Sequence, residues 1–213
     1  MDETSKKIIM HLQSAQNRIV IKNGLVVNHD GSRYADVYIE DAVIKQVGQH
    51  LIIPGGTRII DATGKWVIPG GIDPNVHFQT PVDTSGTSVE GGTRTIDDFY
   101  VGTKAAIAGG TTTIIDTVEP EKGESLLKAF DKWQAWAEEK ACCDFAFKMN
   151  LSQPLNEEPE LKAEIRELAM ENYVNCFSVS MENYGDEDLM DFFHACTSTG
   201  NIESLKIWYF SNW

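Results

Sequence analysis

The sequence predicts an α/β chain in which a small β-sandwich is followed by part of a (β/α)8 barrel. Three observations carry this expectation. Short β-branched runs with turn signals roughly every ten residues occupy positions 18–68. Beyond them, strand and helix patterns alternate about four times, as βα units require. Between the two lies Val67-Ile68-Pro69-Gly70-Gly71-Ile72-Asp73-Pro74-Asn75-Val76-His77-Phe78, an apolar run that breaks at Pro-Gly-Gly and reopens as a strand. An eight-fold barrel takes about 250 residues, so positions 67–213 suffice for only about four or five βα units.

The expected organisation is a flexible lead-in over 1–17, a small β-sandwich portion over 18–68, the first half of a TIM-type barrel over 69–200 and a divergent C-terminal tail over 201–213. Ile19 and Ile21 open the first strand, Asn23-Gly24 reads as a hairpin turn and Asp30-Gly31 as a second turn. Val37 and Ile39, Ile44 to Gly48, Ile59-Ile60 and Trp66 to Ile68 supply further strands. Thr80 to Gly92 is a Gly, Ser and Thr-rich loop at the C-terminal end of the strand from Ile72, where α/β barrels carry their working loops. Thr95 with Asp98 resembles a capping box before a helix that stops at Gly109-Gly110. Thr111 to Val118 is a buried strand in which Asp116 reads as a hydrogen-bonded core acid. Ser125 to Ala141 is a helix built on Leu126, Phe130, Trp133 and Ala137. Phe145, Phe147, Met149 and Leu151 then alternate with Ala146, Lys148 and Asn150 in a strand. A helix from about Glu158 to Asn172, a strand from Asn175 to Ser180 and a helix from Asp186 to Thr199 complete the alternation. Glu203 to Trp213 breaks the rhythm; a final strand is the alternative to a tail there.

Bulk properties exclude some functions. The 213 residues hold 32 acidic against 18 basic side chains, a net charge of −14, which argues against direct nucleic-acid binding. No apolar run reaches membrane-spanning length, and the first fifteen residues resemble neither a signal nor an anchor. Cys142, Cys143, Cys176 and Cys196 show neither metal-finger nor C-x-x-C spacing, so reduced thiols in a cytoplasmic setting are expected.

The candidate chemistry centres on Asn75 and His77. Positions i and i+2 share one face of a strand, so a His-x-His there would offer two imidazoles to one metal ion. Asn-x-His offers one, because a neutral carboxamide is a poor substitute for imidazole. Standing alone, His77 reads as a hydrogen-bonded core histidine. His11, His29 and His50 read as solvated, and His194 as packing or capping within an apolar helix. The acidic runs Glu119 to Glu124 and Glu157 to Glu171 read as solvated faces.

Four ordered segments, ADVYIEDAVIKQVG, DATGKWVIPGGIDPNVHFQ, DDFYVGTKAAIAGGTTTIID and ACCDFAFKMNL, resemble the dihydropyrimidinase family, especially its non-enzymatic relatives, the collapsin response mediator proteins. The resemblance runs from about Arg18 to about Gly200 and implies an amidohydrolase-type barrel attached to a small β-sandwich formed from both chain ends. In the family's enzymes two zinc ions are held by a His-x-His, a carboxylated bridging lysine, two later histidines and an aspartate. By that resemblance the first two ligands fall on Asn75 and His77 and the bridging lysine on Ser178, three vestigial positions, so no catalytic residue, metal or cofactor is expected. The implied function is a non-catalytic cytoplasmic scaffold in cytoskeleton-linked neuronal signalling and axon guidance or outgrowth. Its implied partners are related chains, in homo- or hetero-oligomers, and tubulin or other cytoskeletal proteins. The alternative is a zinc-dependent cyclic amidohydrolase that opens dihydropyrimidine rings.

Overall fold

The computed structural model describes residues 17–80, 94–121, 123–151, 160–172, 174, 176–180, 190, 194 and 206–210. It divides into two compact units, Met1–Pro69 and Gly70–Trp213. The expected lead-in falls almost wholly outside the described residues, as does the loop from 81 to 92.

In the first unit, β1 (Arg18–Asn28), β2 (Gly31–Glu40), β3 (Val43–Gly48), β4 (Arg58–Asp61) and β5 (Trp66–Val67) make one sheet. The path is β3-β2-β1-β4, with β5 also against β1; the two hairpins are antiparallel, and β4 and β5 run parallel to β1. Asp41 and Ala42, at φ 52° and 60°, form the tight connection between β2 and β3. The expected turn at Asn23-Gly24 is instead a β-bulge inside β1, where the register with β2 shifts. Asn23 takes φ 64°, its amide donates to Asp36 Oδ1 at 3.1 Å, and its Nδ2 donates to Asp61 Oδ1 at 3.1 Å. Glycine is required next, because a Cβ on Gly24 would meet Val67 Cγ2 at 2.5 Å and Ala62 Cβ at 3.1 Å. The core of this unit is small: Val26, Ala35 and Val37, with Ile21, Ile39 and Val67 against them. A sandwich needs a second sheet. Among the described residues this unit holds one sheet, and Ile44, Ile59 and Trp66 on it stay exposed.

In the second unit, β6 (Gly71–Val76), α1 (Phe99–Gly109), β7 (Thr111–Val118), α2 (Leu126–Lys140), β8 (Asp144–Leu151), α3 (Glu160–Met170), β9 (Cys176–Ser180) and β10 (Lys206–Phe210) follow in order. The sheet order is β10-β9-β8-β7-β6, every neighbouring pair parallel. Residues 206–210, expected within a divergent tail, therefore extend the sheet as a strand. Their aromatic and β-branched content outweighs the broken βα spacing. Of the helix expected over 186–199 only Met190 and His194 are described, both helical.

The helices end where local chemistry stops them. Asp98, rather than Thr95, is the N-cap of α1: its Oδ1 accepts from Val101 N at 2.9 Å, while Thr95 Oγ1 accepts from Thr80 N. Gly110 closes α1 at φ 91°. Ser125 caps α2, and Glu164 of α3 accepts from Ser125 Oγ and Leu126 N, both at 2.7 Å, placing a carboxylate at the positive end of α2.

These helices cover one face of the sheet. Leu126, Ala129, Phe130, Trp133 and Ala137 of α2 and Leu161, Ile165 and Leu168 of α3 pack with Ile114, Val118, Phe147, Met149, Leu151, Phe177 and Val179. Full burial of each large apolar side chain contributes roughly 1.5–3 kcal/mol. Edge-to-face ring pairs connect Phe78, Phe99, Phe147 and Phe130 in series across the unit.

Gly102 of α1 lies against the ring of Phe78, in space that a Cβ would occupy. Gly→Ala in a helix interior normally gains up to about 1 kcal/mol. Here the clash reverses the sign, and Gly102→Ala lowers stability by roughly 1–3 kcal/mol in urea unfolding. Adding Phe78→Ala removes that penalty, so the double variant is less destabilised than the sum of the singles.

Candidate functional site

Alternation sorts the side chains of the parallel sheet onto two faces. Ile114, Asp116 and Val118 align with Phe145, Phe147 and Met149 of β8, and Met149 and Leu151 with Phe177 and Val179 of β9, on the helix-covered face. The opposite face receives Asn75, His77, Thr117, Glu119, Lys148, Asn150, Cys176 and Ser178. Asn75, His77, Thr117, Glu119, Lys148 and Asn150 lie toward or just beyond the C-terminal ends of their strands, where an α/β barrel does its chemistry, while Cys176 opens β9 and Ser178 lies at its centre.

The three positions singled out in the sequence belong to one connected array. Lys148 Nζ donates to Asn75 Oδ1 at 2.8 Å. His77 Nε2 lies 3.3 Å from the same oxygen, and His77 Nδ1 lies 3.5 Å from Glu119 Oε1. Asn150 Nδ2 donates to Glu119 Oε2 at 2.6 Å, and Ser178 Oγ donates to Asn150 Oδ1 at 3.5 Å. A chain of polar contacts thus runs from β6 through the end of β7 to β8 and β9. His77 is partnered but is no core residue, because its side chain is 42% exposed. Ser178 is 2% exposed. His29, His50 and His194 are exposed, so of the packing and capping expected for His194 the packing does not hold; His11 lies outside the described residues.

Lys148, Asn150 and Glu119 are the members that the sequence reading did not select. Lys148 is 0% exposed. Burial lowers its pKa, while Cys176, Glu119 and Asp116 oppose that shift by favouring the ammonium. The alternation of β8 places Lys148 and Asn150 on one face, but period alone does not say whether that face meets water or the inside of the barrel. The acidic run after β7 is likewise paired rather than simply solvated: Glu121 meets Arg94 at 3.5 Å and Glu124 meets Lys132 at 2.9 Å.

Asp116 sits on the helix-covered face and is the hydrogen-bonded core acid that the sequence suggested. Its Oδ1 accepts from Phe78 N at 2.9 Å, fixing the backbone just beyond His77, while its Oδ2 is buried without a hydrogen bond. Burial raises its pKa from 3.8 to about 7, against the favourable Phe78 amide, His77 and the indole of Trp133, whose Nε1 stays outside hydrogen-bond geometry.

A parallel, helix-covered sheet with its polar side chains gathered at the strand C-termini defines an α/β barrel protein of the amidohydrolase type, present in part. Solved structures agree. D-hydantoinase (dihydropyrimidinase) from Thermus sp. superposes with a TM-score of 0.78 at 30% identity over 90% of this chain and 39% of that one. Dihydropyrimidinase from Brevibacillus agri gives 0.77 at 30% identity, covering 90% and 39%. Dihydropyrimidinase-related protein 5 of Mus musculus is 46% identical over 199 residues, 91% of this chain and 33% of that protein. Dihydropyrimidinase of Rattus norvegicus is 40% identical over 199 residues, 89% and 36% respectively. No family model matches. The chain belongs to the dihydropyrimidinase family and spans about a third of the length of the curated relatives it matches. No helix among the described residues is long and apolar enough to cross a membrane.

Between about pH 4 and 7 folded Asp116 keeps a proton that the unfolded chain has lost, so its contribution to stability falls as pH rises through that window. Asp116→Asn retains the acceptor for Phe78 N and removes the titration. Relative to the parent chain, the variant therefore gains stability between about pH 5 and pH 8 in urea unfolding. Parallel curves for the two proteins would contradict the assignment.

Proposed function

We propose that this chain is a non-catalytic member of the dihydropyrimidinase family that works by binding other proteins. The observation that carries the reading is the buried lysine joined to Asn75, in a site where the resemblance calls for metal ligands. The residues there do not fit a zinc pair. An ammonium has no lone pair to donate to a metal, Asn75 offers an oxygen already engaged by it, and Ser178 cannot form the carbamate that would bridge two ions. His77 remains as a lone imidazole, shared between Asn75 and Glu119. No group of three or more His, Cys, Asp or Glu residues is placed to hold a metal ion among the described residues.

The similarity to dihydropyrimidinase-related protein 5 supports placing the chain beside the collapsin response mediator proteins. On that basis we infer a cytoplasmic scaffold linked to the cytoskeleton in neuronal signalling and axon guidance or outgrowth, assembled with related chains and contacting tubulin or its associates. A net charge of −14 means that contact with acidic surfaces needs a local basic patch. The second reading, a zinc-dependent cyclic amidohydrolase, is favoured by the 40% identity to the rat dihydropyrimidinase.

The two readings separate in one experiment on purified protein, which measures bound zinc and dihydrouracil hydrolysis together. The non-catalytic reading expects turnover no faster than in buffer, with or without added zinc. Near-stoichiometric zinc with turnover would overturn it.

A further inference from the structure

We infer that Lys148 is a fixed internal cation of the barrel mouth, with Asn75 as its matched acceptor and Glu119 as its counter-charge, so that the groups a divalent ion would need are already committed. The inference deepens the non-catalytic reading and rests on it. Lys148 Nζ is carried to the polar face of β8 with the side chain wholly buried, and its 2.8 Å bond crosses to β6 with β7 lying between the two strands. A lysine is almost never fully buried unless paired, and each partner here suits an ammonium. A carboxamide oxygen accepts from it without competing for a proton, whereas a protonated imidazole at position 75 would repel it. Cys176, Glu119 and Asp116 each favour the ammonium, and of these Glu119, just beyond β7, also holds His77 and Asn150 in the same array. Asn75, Lys148 and Glu119 therefore form a set in which the asparagine and the lysine depend on each other. The cation supplied by the chain cannot dissociate, and it turns away any ion of the same sign.

The test uses the full 213-residue chain. Lys148→Met keeps the length of the side chain and removes the charge, taking the donor from Asn75 Oδ1 and the nearby cation from Glu119. It should lower Tm by roughly 6 °C or more, and by clearly less in a Glu119→Gln background, where the carboxylate of the array no longer favours the cation. Lys148→His replaces the ammonium with a metal ligand beside His77 and Glu119. Titration calorimetry with Zn²⁺ alone should show affinity at least roughly tenfold above the parent chain, with the gain abolished by Glu119→Gln. Tm losses that simply add across the Lys148→Met and Glu119→Gln pair overturn the assignment. So does a folded Lys148→His chain that binds Zn²⁺ no better than the parent; if that variant does not fold, the thermal comparison decides alone. Additive losses in a parent chain without turnover would defeat the lysine assignment while leaving the non-catalytic reading standing, and turnover by the parent chain would defeat that reading directly.

Discussion

The C-terminal half of β8 is enclosed on both faces, with Phe147, Lys148, Met149 and Leu151 buried, and this constraint organises the second unit. A parallel strand covered by helices on one side and enclosed by its neighbours on the other has no water-facing side on which to discard polar groups. The side chains Phe147, Met149 and Leu151 meet the helices. The intervening positions Lys148 and Asn150 must then find polar partners inside the sheet's concave face, and they find them on β6, beyond β7 and on β9. An unpartnered ammonium at such a site would be strongly destabilising. The position of Asn75 is thus fixed by the same geometry that packs Phe147 against Phe99 and Phe130.

Burial pushes both Asp116 and Lys148 toward their neutral forms, and different partners oppose that push. Asp116, among the aromatic residues of the helix-covered face, is pushed toward its neutral form with one oxygen on the Phe78 amide. Lys148, on the polar face, is held by an acceptor and neighbouring carboxylates that favour its charge. The two positions lie on opposite faces of adjacent strands, yet both fix the short stretch Asn75 to Phe78, one through a side chain and the other through the backbone. The local structure around His77 is therefore specified from both sides of the sheet. Such pre-organisation persists whether or not any ligand is present.

The helices reinforce the same stretch from farther away. Thr103 of α1 accepts from Cys142 N just after α2, and Lys140 of α2 reaches Asp98, the cap of α1. Glu164 of α3 reaches the first turn of α2. Each link joins a helix end to the next element, so the covering layer is tied together at the points where helices otherwise leave backbone groups unsatisfied.

The order of strands and helices from Gly71 to Ser180 was legible in the sequence, because hydrophobic period and glycine or serine caps are local properties: Ser125 and Gly110 stop helices wherever they occur in such contexts. That Asn75 precedes His77 by two positions is plain from residue identity, while the placing of a bridging-lysine position at Ser178 is what the family resemblance implies. Other features needed three dimensions. Whether Asn23-Gly24 turns or bulges depends on Asp36 and Asp61, residues distant in sequence. Residues 206–210 become a strand only because β9 offers an edge. Above all, Lys148 looks like the solvent half of an alternating strand until the parallel sheet encloses it. Side-chain period states which residues share a face, and only the packing of both faces decides whether that face meets water or a buried partner.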